Sequence, residues 1–96
     1  SVVGATAVLS ETPISEKYKP VYIEKEGLIK VNFLNVDESP TCIKIYDQED
    51  NLVYDSGKLM DQYISKVFDI YNMRNEDYTI IVTDNNRAFT KTFASK

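Results

Sequence analysis

Apolar and polar side chains alternate with a period of two in segment after segment of this chain. Tyr78, Ile80 and Val82 point one way and Thr79, Ile81 and Thr83 the other, the pattern of a half-buried strand. The polar turn Asp84, Asn85, Asn86 joins this segment to another over 87–94, where Phe89 and Phe93 flank Lys91. In the first half, 28–36 aligns Ile29, Val31 and Phe33 inward, with Lys30 and Asn32 toward water. The segment 41–47 sends Ile43 and Ile45 inward and Cys42, Lys44 and Tyr46 outward. Shorter extended stretches over 21–24, after Pro20, and over 52–55 are rich in β-forming residues. A last one over 64–71 places Ile64, Phe68 and Ile70 on one face.

The breaks between these segments fix the organisation. Glu26 and Gly27 turn the chain, and 37–40 is a polar turn of hairpin length. The acidic turn 48–51 follows, 56–61 is the expected passage between two sheets, and 72–77 is one turn of helix or an irregular corner. Lys66 and Lys91 interrupt otherwise apolar rows, a device by which edge strands discourage pairing with other chains. No apolar set recurs at the helical spacing for the dozen residues that a helix needs. Seven short strands in this rhythm predict an all-β fold, a seven-stranded antiparallel β-sandwich over residues 18–96. Residues 1–17 are read as an N-terminal arm or first strand. Ala5 and Ala7 also match the small-x-small pattern that precedes a signal-peptidase site, which points to export if the chain was cut nearby.

Size and charge narrow the function classes. Ninety-six residues make one domain, and a hydrophobic content of 43% is enough for one thin core. The eleven basic residues are scattered among fifteen acidic ones, so no stripe exists to displace counterions from nucleic acid or to hold an anionic membrane. No run approaches the ~20 apolar residues of a membrane-spanning helix, so no membrane insertion is expected. Lys66 and Lys91 further favour a monomer.

Candidate chemistry is sparse. The chain has no His and only three Gly, which leaves no usual general base at neutral pH and no phosphate-binding glycine loop. An enzyme is not expected, nor is any cofactor. Cys42 is alone and reads as a small strand residue, since a reactive thiol needs a basic neighbour or a helix N-terminus. Asp47, Glu49 and Asn51 imitate the opening ligands of an EF-hand loop. Leu52 then stands in the glycine position and Lys58 in that of the bidentate glutamate, so the loop is not an EF-hand. A looser calcium site between acidic loops is weighed against the preference of solvated turns for Asp and Asn. The remaining signal is tyrosine: Tyr22, Tyr46, Tyr63 and Tyr71 form a candidate partner surface for protein or carbohydrate, with β-propensity on solvated faces as the plainer explanation.

Taken together, Ile43 to Tyr46, Asp47, Asp50, Asn51, Leu52, Val53 and Tyr54, then Phe68, Asp69, Ile70 and Met73, then Tyr78, Thr79, Ile80, Val82 and Asp84 follow one spaced pattern. It resembles the small immunoglobulin or fibronectin III-like domains of secreted bacterial proteins, including the C-terminal sorting domains of type IX secretion. The resemblance runs from about Leu28 to Phe93. It departs where the hairpin glycine becomes Asp50 or Asn51, and where the glycine two residues before the tyrosine becomes Glu76. The resemblance implies a bacterial protein that is secreted, periplasmic or on the cell surface. It also implies a binding, adhesion or spacer module without catalytic activity or, alternatively, a C-terminal sorting or anchoring domain of a longer exported protein. Tyr78 would then brace a corner, its ring in the core and its hydroxyl on nearby backbone.

Overall fold

The computed structural model describes residues 18–69, 76–85 and 87–94. Among these residues seven strands follow in chain order: β1 (Val21–Lys25), β2 (Leu28–Leu34), β3 (Cys42–Tyr46), β4 (Leu52–Asp55), β5 (Tyr63–Asp69), β6 (Asp77–Thr83) and β7 (Ala88–Ala94). They form a three-stranded sheet of order β1-β2-β5 and a four-stranded sheet of order β4-β3-β6-β7, and every pairing is antiparallel. The all-β, seven-stranded sandwich read from the alternation is the fold observed. The segments 72–75, 1–17 and Ile70 lie outside the described residues.

The rows expected to face inward do so. Ile29, Val31 and Phe33 of β2 close against Ile43, Ile45, Ile80 and Val82 of the facing sheet, each at most 2% exposed. Ile64, Phe68, Tyr78 and Phe93 complete the core. Three aromatic pairs each take one ring from either sheet: Tyr22 with Phe93, Phe33 with Phe89, and Tyr54 with Phe68, at centroid separations of 5.5, 6.0 and 5.0 Å. Such tilted and edge-on contacts suit the ring quadrupole and lock the spacing of the layers. β5 and β7 are edge strands, as Lys66 and Lys91 predict. At the edge, the Lys91 ammonium lies 5.9 Å from the centre of the Phe93 ring.

Turn chemistry accounts for the hairpins. Glu26 and Gly27 take φ of 52° and 83° between the paired residues Lys25 and Leu28. Positive φ at both central positions is the two-residue turn whose twist matches the flanking strands. In the β3–β4 turn Asp50 has a φ of 68°, so the position where the bacterial pattern carries glycine does require the left-handed backbone, and Asp supplies it. Asp47 holds that turn: Oδ1 accepts the amides of Glu49 and Asn51, and Oδ2 accepts the Asn51 side-chain amide.

The 37–40 turn departs from its hairpin expectation. β2 already pairs with β1 on one side and β5 on the other, so no edge is left for β3, and the chain crosses to the opposite sheet. Asn35, only 3% exposed, makes that crossing possible. Its Nδ2 donates to the carbonyls of Ser39 and Asp61, at 2.9 and 3.1 Å, and its Oδ1 accepts the Ser39 amide at 3.3 Å. Its own amide donates to the Gln62 carbonyl at 2.7 Å. One side chain thereby ties the β2–β3 crossing to the β4–β5 crossing, which does run between the sheets as expected. Amides and carbonyls of Thr41 and Leu59 pair beside it.

Candidate functional site

Pairing of β1 with β2 and of β2 with β5 sets the outer face of the three-stranded sheet row by row. Ile23 and Val67 flank Lys30, Val21 and Ser65 flank Asn32, Lys25 and Asp69 flank Leu28, and Tyr63 lies beside Leu34. Because side chains alternate, burying Ile29, Val31 and Phe33 obliges their neighbours to face water. Six of the eleven outward positions of the three strands are apolar, and Lys25, Lys30, Asn32, Ser65 and Asp69 fill the rest. Val21, Ile23, Leu28, Leu34, Tyr63 and Val67 are 37–57% exposed and cover one face of one sheet. Apolar side chains gathered on one face, here divided by Lys30 and by the Asn32–Ser65 pair, point to an interaction site, whereas single exposed apolar residues need no explanation.

Two shallow grooves run over this face. One is lined by Ile23, Leu28 and Val67 together with Lys25, Glu26 and Lys30, with Lys30 standing between Ile23 and Val67. The other lies between Val21, Leu34 and Tyr63, with Tyr18 and Lys19 at its rim. Lysine stems lie well on apolar surface while their ammonium groups stay in water, so both grooves combine apolar lining with a cationic group.

The four tyrosines of the candidate partner surface do not come together. Tyr63 is on this outer face and 57% exposed. Tyr46 is on the outer face of the four-stranded sheet, next to Leu52 and Thr79. Tyr22 turns inward, edge-on to Phe93, because in β1 it is Val21 and Ile23 that take the outward positions. Its buried hydroxyl has no hydrogen-bond partner among the described residues, and burial pushes its pKa up. Tyr71 lies outside the described residues. The signal that sequence reading missed was the pair Val21 and Ile23: registered against β2, they extend the apolar outer face instead of feeding the core.

The acidic loops hold themselves. The Asp84 carboxylate, 7% exposed, accepts the Arg87 amide at 3.0 Å and the Arg87 guanidinium at 2.6 Å. That guanidinium is centred 5.7 Å from the Phe33 ring and 5.0 Å from the Phe89 ring, so it caps the gap between the sheets. Among the described residues, no three His, Cys, Asp or Glu side chains converge as a metal site would require. Cys42 donates from Sγ to Asp55 Oδ1 at 3.4 Å, so its hydrogen-bond partner is a carboxylate and not the cation that activates a thiol. Asp55 also accepts the Gly57 amide at 2.9 Å. That backbone hydrogen bond first, then the Cys42 thiol, lowers the Asp55 pKa below the ordinary carboxylate value.

Tyr78 is buried as expected, but its hydroxyl reaches the Glu76 carboxylate, at 3.5 Å, and not backbone. Glu76 is the residue that replaces the glycine of the bacterial pattern, so the departure itself supplies the acceptor.

No family model matches this chain, and no curated protein matches it. Among solved structures it is similar to the crystal structure of a DUF3244 family protein with an immunoglobulin-like β-sandwich fold from Bacteroides vulgatus. The TM-score is 0.72 at 18% sequence identity, and the likeness covers 85% of this chain and 88% of that one. At such identity the likeness shows the fold alone, an immunoglobulin-like β-sandwich.

Proposed function

We propose that this chain is a non-enzymatic binding module of an exported bacterial protein, working at the cell surface or in the periplasm, and that it recognises its partner with the outer face of the three-stranded sheet. The observation that carries the reading is the set of six exposed apolar side chains on that face. Their exposure is a standing cost in solubility that the core does not require, because the inward rows are already complete. Support for a bacterial setting comes from the Bacteroides vulgatus neighbour and from the resemblance over Leu28 to Phe93.

The test compares binding to surface proteins of the source organism by the wild type, by Val21→Thr/Ile23→Thr/Val67→Thr and by Thr90→Val/Thr92→Val, all with matched melting temperatures. Retention of one defined partner that is lost only in the first variant is the expected result. Equal retention by all three would refute the assignment of this face.

A sorting or anchoring role is the second reading. The positive φ of Asp50 favours it, since the type IX pattern carries glycine at that place in the hairpin. Fused behind a reporter in a bacterium with that secretion route, a sorting domain would carry the reporter outside; a reporter left in the periplasm would dismiss this reading.

A further inference from the structure

We infer that the outer face of the three-stranded sheet receives a short acidic amphipathic segment of another protein, its apolar side chains in the two grooves and its carboxylates on Lys19, Lys25 and Lys30. The inference rests on reading this face as the binding surface and adds the chemistry of the partner.

Three observations lead there. The first is charge: three lysines stand among the exposed apolar residues against Asp69 and Glu26, in a chain where acids outnumber bases by fifteen to eleven. The face thus runs opposite in sign to the rest of the molecule. The second is pairing. None of Lys19, Lys25 and Lys30 forms an ion pair with a carboxylate among the described residues, so their charge is available to a partner. A cation beside an apolar groove adds most to specificity when a carboxylate meets it as the groove fills.

The third is area. Three strands about 4.8 Å apart and ~3.3 Å of rise per residue over the seven residues of β2 give a footprint on the order of 300 Å². Even doubled for surface relief, this falls short of the roughly 800 Å² per partner of a stable protein interface. Two copies meeting through this face would bury too little and would oppose lysine to lysine. A peptide-sized segment fits the footprint. An anionic membrane is disfavoured because the remaining surface, with its acidic excess, would be repelled.

Nuclear magnetic resonance titration of the full, isotopically labelled chain decides the matter, with three blocked ten-residue peptides: alternating Leu and Glu, alternating Leu and Lys, and alternating Ser and Glu. The Leu/Glu peptide is expected to shift amides of Val21, Ile23, Leu28, Lys30 and Val67 and to bind more weakly as salt is added. Lys19→Glu/Lys25→Glu/Lys30→Glu should weaken it by about tenfold, three rim charge contacts of ordinary size. Shifts on the same face from the Leu/Lys peptide as strong as from Leu/Glu would overturn the acidic partner and leave the binding face standing. No perturbation of the face by any peptide at millimolar concentration would overturn both. Concentration-dependent shifts without peptide would assign the face to a second copy, and cosedimentation with phosphatidylglycerol vesicles would assign it to a membrane; either overturns the proposal.

Discussion

The two outer faces of the sandwich cover the same core with different chemistry. Over β6 and β7 the four-stranded sheet shows Thr79, Thr83, Thr90 and Thr92 around the half-buried Ile81, with the Thr79 and Thr92 hydroxyls 3.2 Å apart, and its large exposed apolar residues are Leu52 and Val53 on the edge strand β4. The three-stranded sheet shows Val21, Ile23, Leu28, Leu34 and Val67 among its outward residues, beside Lys25, Lys30, Asn32, Ser65 and Asp69. Threonine satisfies the steric preference of a strand and solvates its hydroxyl, so the first face is what folding alone asks of an outward row. The second face holds apolar surface that folding does not ask for. The comparison teaches that β-propensity and burial are separate demands, and that only the three-stranded face exceeds both.

The largest effect expected lies between the faces. Ile45→Ala or Ile80→Ala, in fully enclosed positions, should cost about 2–5 kcal/mol in urea unfolding, a large share of the stability of a domain this small. A loss comparable to that of an outward residue would mean that the inward and outward rows are misassigned.

Next comes Asn35→Ala. It leaves the carbonyls of Ser39 and Asp61 without their donor in a buried corner, and about 1–3 kcal/mol should be lost. Asn35→Asp should fail to rescue it, since a carboxylate cannot donate to either carbonyl.

Tyr22→Phe sharpens the contrast from the inner side of β1. It removes a buried hydroxyl that has no partner among the described residues, so stability at neutral pH should stay level or rise by up to about 1 kcal/mol. The sign of its pH dependence follows from the raised folded pKa. In the wild type the neutral phenol is favoured on folding, so stability is intact below the ordinary tyrosine pKa of about 10 and falls as pH rises from there through the folded value. Tyr22→Phe should show less of that alkaline fall; an unchanged profile would place the titration elsewhere. Asp55 works at the acid end. Its folded pKa is lowered, so its contribution is present above the ordinary carboxylate range and is lost as pH falls through the folded value. Asp55→Asn, which cannot titrate, should flatten the acid limb of the stability curve by a small amount, since the carboxylate is solvent-exposed.

Much of this architecture was legible in the alternation. Rows such as Ile29, Val31, Phe33 and Tyr78, Ile80, Val82 announce their own orientation, and Lys66 and Lys91 mark the edges, because a sheet buried on one face leaves little freedom of register. The crossing at Asn35 was not legible. A polar turn of hairpin length looks the same whether the next strand pairs or departs, and what decides is that β5, thirty residues on, takes the edge of β2. The binding face was hidden for a related reason. In β1 the pair Val21 and Ile23 has the profile of an inward row, and only the register against β2 shows that Tyr22 goes in and the aliphatic pair goes out. Tyrosine was a poor guide because it serves equally as core ring, solvated strand residue and contact residue, and Tyr22, Tyr46 and Tyr63 are placed in three different settings.

The smallest stability effect expected is also the most direct test of the account. In Val21→Thr/Ile23→Thr/Val67→Thr the strand preference and branching are kept and only the apolar character of the outer face is removed. Urea unfolding of the full chain should show a total change within about 1 kcal/mol, as for solvent-facing substitutions. A loss above about 3 kcal/mol would mean that these side chains are covered within the folded chain, and the claim that the three-stranded sheet presents a free apolar face would be contradicted.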